Sequence, residues 1–468
     1  MVFSSLEFLF LYLPCSLLIY FVIPPERLVL RNTALLLCSL VFYGWSEPLY
    51  VFIMLTSILV DYICGYLVAK HRDTAPKKAK TALIASIVIN LSILGFFKYF
   101  DFIIVNLAKI PIFSSLTPLG IKLPVGISFY TFQTMSYTLD LYFRKARVQK
   151  NILSFGTYVT MFPQLIAGPI VRYNEIDGAL RKRQHNMCNA AKGARRFICG
   201  LAKKVLLANS AGAMYEALVA DVAGEPNALA AWLGIIFYAF QIYFDFSGYS
   251  DMAIGIGHIF GFDFPENFNY PYISKSITEF WRRWHITLST WFKEYVYIQL
   301  GGNRKGKART YLNLLVVWFL TGLWHGANWN FVLWGLYFCL LLIIEKAFLQ
   351  KLLDRLPSIF SRIYFIFFIL IGWFIFISCD IQDPTQYLSA LFSLPVFSSV
   401  SVYELSRSTV FLIVLIVAST PLPRQIYLKI KDKTAFKAVW IILLPIVLLV
   451  CVAYLVDSSY NPFLYFRF

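Results

Sequence analysis

Long apolar runs separated by short polar connectors dominate this chain. Four clear runs cover residues 49–69, 228–246, 363–379 and 438–456. Each has about the 20 residues that a helix needs to cross the hydrocarbon core of a bilayer. Backbone groups in lipid must be satisfied within the structure, and these runs lack the apolar–polar alternation of barrel strands. The pattern therefore predicts an all-α polytopic membrane protein.

The composition and the placement of charge agree with this prediction. Of the 468 residues, 59% are hydrophobic and 14% are charged, whereas soluble domains carry about 25% charged residues. The formal net charge of +17 is concentrated in short connectors, as the positive-inside rule expects of cytoplasmic loops. This placement favours membrane lipids as contacts and argues against nucleic acid. The basic connectors are 70–80, 144–150, 181–196, 304–309 and 424–437.

Placing these connectors in the cytoplasm orients the chain. The connectors 221–227 and 380–407, which hold almost no Lys or Arg, then lie outside. Both termini are expected on the extracytoplasmic face, including the tail at 454–468. The N-terminus has no basic segment and no clear cleavage site, so we interpret the first apolar run as a retained span.

The middle of the chain does not fit simple spans. The run 152–171, which contains Pro163, Gly168 and Pro169, joins two basic connectors that one crossing cannot join. We expect this run to be re-entrant or broken, and residues 247–302 to be irregular as well. Irregular backbone at membrane depth is tolerated where protein buries it or where it lines a cavity. We therefore predict one domain, residues 1–468, with outer spans around a broken polar centre.

Ionisable residues inside apolar segments are costly and mark functional sites. The first such cluster, DFSGYSDMAIG, places Asp245, Ser247 and Asp251 just after a long apolar run. These side chains are candidates for binding the substrate or an acyl donor. Pairing of the two carboxylates with buried arginines is the alternative interpretation. Gly248 in this cluster indicates a sharp bend.

The second cluster, SITEFWRRWHITLSTWFKEY, predicts a helix that begins with a capping box of Ser276 and Glu279. An amphipathic helix at the membrane interface would explain its stripes of aromatic and polar residues. An interior position would explain the histidine better. The aromatic stripe is Trp281, Trp284, Leu288, Trp291 and Tyr295, and the polar stripe is Arg282, His285 and Ser289.

The third cluster, TGLWHGANWNFVLWG, contains His325 after an uncharged apolar run from Tyr311. A helix over this interval is about 20 Å long, which places His325 within the membrane. Gly322 and Gly326 would let another backbone or a ligand approach it. A hydrogen-bonded packing histidine is one interpretation, and a general base is the other. The residues alone indicate an intramembrane acid–base site, with a transporter as the rival.

Signatures of other site chemistries are missing from the sequence. None of the eight cysteines pairs at CxxC spacing, so neither a metal site nor a disulfide framework is indicated. There is no P-loop, no GxSxG elbow and no HExxH helix. His258, His285 and His325 are too scattered to predict metal ligands. We therefore predict no metal site.

At these motifs the sequence resembles the membrane-bound O-acyltransferase family, in particular its bacterial alginate and peptidoglycan O-acetyltransferase branch. The resemblance covers nearly the whole chain. It implies a ring of helices around a thin centre with a tunnel, in the bacterial inner or plasma membrane. The matching motifs, in order, are PVGISFYTFQTMSY, FPQLIAGPIVR, YFDFSGYSDMAIG, FPENFNYPY, EFWRRWHITLSTWF, LGGNR and GLWHGANWNFVLWG.

The resemblance also implies an activity. The family histidine that matches His325 is the catalytic base, and the one that matches His285 is a second active-site residue. The implied donor is cytoplasmic acetyl-CoA, with no tightly bound cofactor. The acetyl group is passed outward, where a separate esterase-like (SGNH-type) acetyltransferase completes its transfer to a polysaccharide such as alginate or peptidoglycan.

This chemistry gives roles to the polar residues. Because a thioester is already activated, the enzyme needs only to deprotonate a hydroxyl and stabilise an oxyanion. His325 would take the proton, and His285 or Asn328 would donate to the oxyanion. The CoA phosphates would meet a set of cations at the inner mouth, although topology alone explains these charges equally well. The cations are Arg282, Arg283, Lys293 and the connector 304–309.

Two rival functions remain open at this point. One is D-alanyl transfer to teichoic acid, on the same fold and from a carrier protein. The other is transport of a polysaccharide precursor, with the histidines as proton relays.

The C-terminal segment FLYFRF suggests one further residue. Only about nine residues separate Tyr465 from the last apolar run, so the tail can fold back toward an outward-facing cavity above His325. A phenol deprotonated there could attack the thioester and carry the acetyl group as an aryl ester. The segment also resembles an aromatic-rich motif with a tyrosine in this acyltransferase branch. The alternative interpretation is an aromatic interfacial anchor.

The charge-based orientation gives the first testable prediction. In a cysteine-free background, cysteines placed at Ala75 and Thr434 should be shielded from a membrane-impermeant thiol reagent in intact cells. A cysteine at Gly224 should be labelled, because its connector lacks basic residues. Labelling of position 434 from outside would overturn the orientation.

Overall fold

The computed structural model describes residues 1–457, except the side chains of 435–438. Every regular element in these residues is helical. Nine helices of the described part are long and apolar enough to cross a membrane, which confirms the predicted all-α polytopic class. The ring, the tunnel and the single domain stay predictions. The nine are Leu28–Ser46, Val51–His71, Pro76–Leu107, Met187–Gly224, Ala228–Phe260, Trp329–Leu353, Ser358–Ile377, Ser399–Ala418 and Val439–Asp457.

The described chain divides into two compact units, and the first comprises Met1–Phe197 and Tyr249–Glu266. A polar cluster lies in its interior, where Ser86 Oγ and Asn90 Nδ2 donate to the carboxylate of the fully buried Asp61 at 2.6 and 2.9 Å. These donors offset the cost of a carboxylate inside a span. The helices of this unit are α1 Leu13–Val22, α2 Leu28–Ser46, α3 Val51–His71, α4 Pro76–Leu107, α5 Ile127–Tyr142, α6 Ile152–Thr160, α7 Phe162–Leu165, α8 Tyr173–Arg181 and the first part of α9 Met187–Ala202.

The run 152–171 is broken, as its prolines and glycine predicted. Helix α6 ends at Thr160, the chain turns at Met161, and the four-residue α7 follows. Residues 166–172 then run without regular helix and are almost wholly buried. Irregular backbone in this run is therefore covered by protein.

The second unit comprises Ile198–Gly248 and Asn267–Phe468, of which residues to 457 are described. Its core is rich in aromatic rings. π-helical turns occur at Lys203–Ala208, Lys293–Tyr297 and Glu345–Leu349. The helices that begin in this unit are α10 Asn209–Gly224, α11 Ala228–Phe260, α12 Ile277–Arg283, α13 Ile286–Phe292, α14 Lys307–His325, α15 Trp329–Ile344, α16 Gln350–Leu353, α17 Ser358–Ile377, α18 Pro384–Ala390, α19 Ser399–Ala418, α20 Leu422–Ile430 and α21 Thr434–Asp457.

Helix α11 corrects one prediction. It runs unbroken from Ala228 to Phe260, so the expected bend at Gly248 and the irregular structure expected from residue 247 are wrong as far as residue 260. A Cβ on Gly248 would lie 2.8 Å from the carbonyl oxygen of Gly200. The glycine therefore permits a close helix approach and does not turn the chain.

Two glycines bring α14 and α15 together. A Cβ on Gly335 would lie 2.4 Å from the carbonyl oxygen of Trp318, and one on Gly322 would lie 2.4 Å from that of Phe331. Small residues at such a crossing let two backbones pack directly on one another. This crossing fixes the end of α14, where His325 lies.

Candidate active site

The second sequence cluster folds as two short helices, so the prediction of one continuous helix is wrong. Helix α12 ends at Arg283, and α13 begins at Ile286. His285 between them adopts φ +43° and ψ +55°, a left-handed conformation that costs energy for any residue with a Cβ. Such strain persists only where the surroundings hold it, and it is concentrated at functional sites.

Asn267 holds this break. Its backbone oxygen accepts from Ile286 N at 3.0 Å. Its side-chain oxygen accepts from Thr287 Oγ1 at 3.0 Å and from Thr287 N at 3.3 Å. The same oxygen lies 3.0 Å from Nδ1 of His285. One residue therefore satisfies the amides that begin α13 and orients the histidine.

Glu345 anchors the other end of α12. This carboxylate is 1% exposed and accepts from Ile277 N at 2.7 Å, Thr278 N at 2.8 Å and Thr278 Oγ1 at 2.6 Å. The hydroxyl of Tyr364 also donates to it, at 3.1 Å. Free amides and a helix dipole make a helix N-terminus a favourable place for a carboxylate.

The predicted cap of α12 is also present. Glu279 N donates to Ser276 Oγ at 3.1 Å, although the Glu279 carboxylate accepts from Lys275 N and not from Ser276 N. Nothing in the local pattern marked Glu345 as the second cap. Only its position as an acid at the end of an apolar run offered a signal.

His325 is the last residue of α14, which is unbroken from Lys307. The side chain is 5% exposed and packs among aromatic rings. Ring centroids lie 5.1 Å away for Trp324, 4.9 Å for Trp334 and 5.4 Å for Phe376. The packing is tighter than the open cavity position that the sequence suggested.

His285 and His325 line the same cavity, of about 230 Å³. His285 is 2% exposed, and its ring centroid lies 4.7 Å from that of Phe246 and 5.9 Å from that of Trp324. Burial lowers the pKa of His285 well below its ordinary value, and charge on His325 lowers it further. Burial therefore favours the neutral imidazole form of His285.

Cations share this cavity with the histidines. Arg282 and Lys293 line it, together with the hydroxyl-bearing Ser289, Thr321 and Tyr297. No carboxylate of the described residues forms an ion pair with Arg282. The cavity therefore offers two imidazoles and two positive charges to a ligand. Its remaining lining is mostly apolar and aromatic, apart from Thr278.

The other predicted binding residues lie elsewhere. Arg283 donates to Glu279 Oε1 at 2.9 Å and to the carbonyl oxygen of Asn269 at 3.1 Å, and it is not part of the cavity lining. Asn328 precedes α15, is exposed, and does not line the cavity either. Their roles toward the donor or the oxyanion stay predictions.

The carboxylates of the first cluster form ion pairs with cations. Asp245 and Lys204 are both buried and form an ion pair, with 2.7 Å between Oδ1 and Nζ. Asp251 pairs with Arg196 at 2.8 Å. Ser247 is buried, and neither it nor the two carboxylates line the histidine cavity. These pairs favour the structural interpretation, with Lys204 in place of one expected arginine. Tyr465 lies outside the described residues.

A larger cavity, of about 720 Å³, lies in the same unit. Its lining includes Tyr238, Gln241, Asp380 and Asp383 but, among the described residues, no histidine, lysine or arginine. It therefore offers no imidazole, the side chain whose ordinary pKa best suits proton transfer near neutral pH. The smaller cavity is the better candidate for an active site.

The chain is similar to known proteins across this region. Residues 131–380 match the model of the membrane-bound O-acyltransferase family. A probable alginate O-acetylase of Pseudomonas aeruginosa is 40% identical over 411 residues, 87% of this chain and 77% of the relative. A peptidoglycan O-acetyltransferase of Helicobacter pylori is 35% identical over 440 residues, 87% of this chain and 82% of the relative. A teichoic acid D-alanyltransferase of Streptococcus thermophilus is 28% identical over 247 residues, 48% of this chain and 58% of the relative.

The Glu345 cap gives the second prediction. Glu345→Ala should lower the thermal unfolding midpoint of the purified protein, because buried amides and hydroxyls lose their acceptor. The free energy of unfolding should fall by about 2–4 kcal/mol. Tryptophan fluorescence in detergent measures the midpoint. The exposed neighbour provides the control, and Lys346→Ala should leave the midpoint unchanged. Equal midpoints for the two variants would show that the cap is dispensable.

Proposed function

The chain belongs to the membrane-bound O-acyltransferase family, as its motifs predicted, and from this premise we propose that it moves acetyl groups from cytoplasmic acetyl-CoA across the membrane. The acetyl groups serve the O-acetylation of an extracytoplasmic polysaccharide such as alginate or peptidoglycan. A separate esterase-like acetyltransferase on the outer face completes the transfer. The protein lies in the bacterial inner or plasma membrane with both termini outside.

The observation that carries this proposal is the cavity with two buried imidazoles and two cations. An acyl-CoA presents a thioester at one end and phosphates at the other. The imidazoles suit proton transfer at the thioester, and Arg282 and Lys293 suit the phosphates. A larger cavity with carboxylate lining would repel the same donor.

The reaction needs no change in the net charge of the site. An acceptor hydroxyl attacks the thioester carbonyl carbon while His325 takes the hydroxyl proton. The tetrahedral intermediate collapses, the C–S bond breaks, and His325 returns the proton to the sulfur. The products are an ester and free CoA thiol, and His325 is neutral again. We propose Tyr465, outside the described residues, as the hydroxyl that first receives the acetyl group.

The names of the relatives support acetyl as the transferred group. The alginate and peptidoglycan O-acetylating relatives match the chain over more of its length and with higher identity than the D-alanyltransferase does. Membership of an acyltransferase family sets the transporter alternative aside.

The third prediction tests the base. The His325→Ala variant is purified in lipid nanodiscs and assayed with radiolabelled acetyl-CoA. Its rate of acetyl transfer should fall about 10²–10⁴-fold, as expected when a general base is removed. Folding is checked by the thermal unfolding midpoint. The matched control is His71→Ala, at the end of α3 and outside the cavity, which should keep full activity.

Two outcomes would contradict the proposal. A folded His325→Ala protein with more than about a tenth of the wild-type rate would remove His325 from the role of base. A wild-type protein that ignores acetyl-CoA but accepts a D-alanyl group from a carrier protein would assign the chain to the other branch.

A further inference from the structure

The side-chain oxygen of Asn267 determines which nitrogen of His285 carries a hydrogen. The backbone amide of Thr287 lies 3.3 Å from this atom, and an amide N–H can only donate. The atom that faces Thr287 is therefore the amide oxygen and not the amide nitrogen. His285 Nδ1 lies 3.0 Å from the same oxygen. Since a carbonyl oxygen only accepts, Nδ1 must be the donor.

The protonation of the remaining nitrogen follows. A neutral imidazole has one N–H, so a hydrogen on Nδ1 leaves Nε2 with its lone pair and no hydrogen. An imidazolium would carry hydrogens on both nitrogens, but the ring is 2% exposed and lies among the rings of Phe246 and Trp324. Burial among aromatic rings disfavours the charged form.

We propose that Asn267 is a positioning residue that locks His285 in the Nδ1–H tautomer, which makes His285 a proton acceptor in the cavity and not a donor to the oxyanion. This proposal differs from the oxyanion role that the sequence suggested for His285. The tautomer follows from the hydrogen bonds and the burial of the ring, and only its catalytic consequence rests on the proposed function.

The consequence is a pair of bases. When the acceptor hydroxyl forms its C–O bond to the acetyl carbon, the released proton binds His325, and Nε2 of His285 offers a second position to which it can pass. The imidazole that holds the proton returns it to the sulfur as the C–S bond breaks. Atoms and charge balance over the cycle, and both imidazoles are neutral at its end.

The left-handed turn serves the same purpose. His285 cannot rotate away from Asn267 without losing the contacts that hold Ile286 and Thr287 at the start of α13. The strain at φ +43° is offset by these hydrogen bonds. The tautomer and the helix break are therefore coupled through one residue.

The fourth prediction is spectroscopic. The full chain, with ¹⁵N-labelled histidine rings in lipid nanodiscs at pH 7, should show His285 with a hydrogen on Nδ1 and none on Nε2. The signal is identified by its loss in both His285→Gln and His285→Asn. A wild-type spectrum with a hydrogen on Nε2 of His285, alone or in an imidazolium, would overturn the inference.

Variants at Asn267 extend this test. Asn267→Asp keeps an acceptor oxygen, so the hydrogen should stay on Nδ1 of His285. Asn267→Leu removes the acceptor, so the hydrogen should no longer be confined to Nδ1. The control Asn269→Leu, at an exposed position in the same motif, should leave the spectrum unchanged. A Leu variant at 267 that keeps the wild-type tautomer would contradict the positioning role.

Activity separates this inference from the proposed function. In the same nanodiscs, Asn267→Leu should lower kcat by about 10²–10⁴-fold, the range seen when a catalytic histidine takes the wrong tautomer or a base is lost. KM for acetyl-CoA should stay close to the wild-type value, and Asn267→Asp should recover much of the loss. If the spectra are as predicted but no form of the protein transfers acetyl groups, the proposed function is wrong and the inferred tautomer still stands.

Discussion

The hydrogen bonds of Asn267 make possible the helix break that carries His285. A helix that stops inside a membrane protein leaves amides without partners, and unsatisfied backbone groups are costly away from water. Asn267 supplies acceptors for Ile286 and Thr287, so α13 can start one residue after a strained turn.

The opposite end of α12 is anchored as firmly. Glu345 binds the first amides of the helix from within the core, and this bond ties α12 to the end of α15. The crossing of α14 and α15 at Gly322 and Gly335 fixes His325, so α15 contributes to the position of both histidines. The two histidines are therefore positioned by buried backbone contacts and not by flexible loops. Such preorganisation is what proton transfer at a thioester requires.

The aromatic shell gives the cavity its electrostatic character. Phe246, Trp324, Trp334 and Phe376 surround the imidazoles, and both histidines are almost fully buried. Burial in these surroundings favours the neutral imidazole of His285, which can then accept a proton. Restricted access for water also protects an activated acyl group from hydrolysis.

The sequence predicted the spans and the histidines because both rest on local patterns. Apolar length identifies a span, and His325 was placed by its distance along a single helix that the structure confirms. The break at His285 was missed because its cause lies at Asn267, 18 residues earlier in the chain. The cap by Glu345 was missed for the same reason, since its partners are 67 and 68 residues away. Gly248 was predicted to bend the chain, whereas in the structure its missing Cβ allows the backbone at Gly200 to approach closely.

The most direct test of the account is a structure of the protein in nanodiscs with a non-reactive thioether analogue of acetyl-CoA. We expect the acetyl carbonyl of the analogue in the cavity of His285 and His325, with the phosphates against Arg282 and Lys293. An analogue bound in the larger cavity beside Tyr238 and Asp380, with the histidine cavity empty, would contradict it.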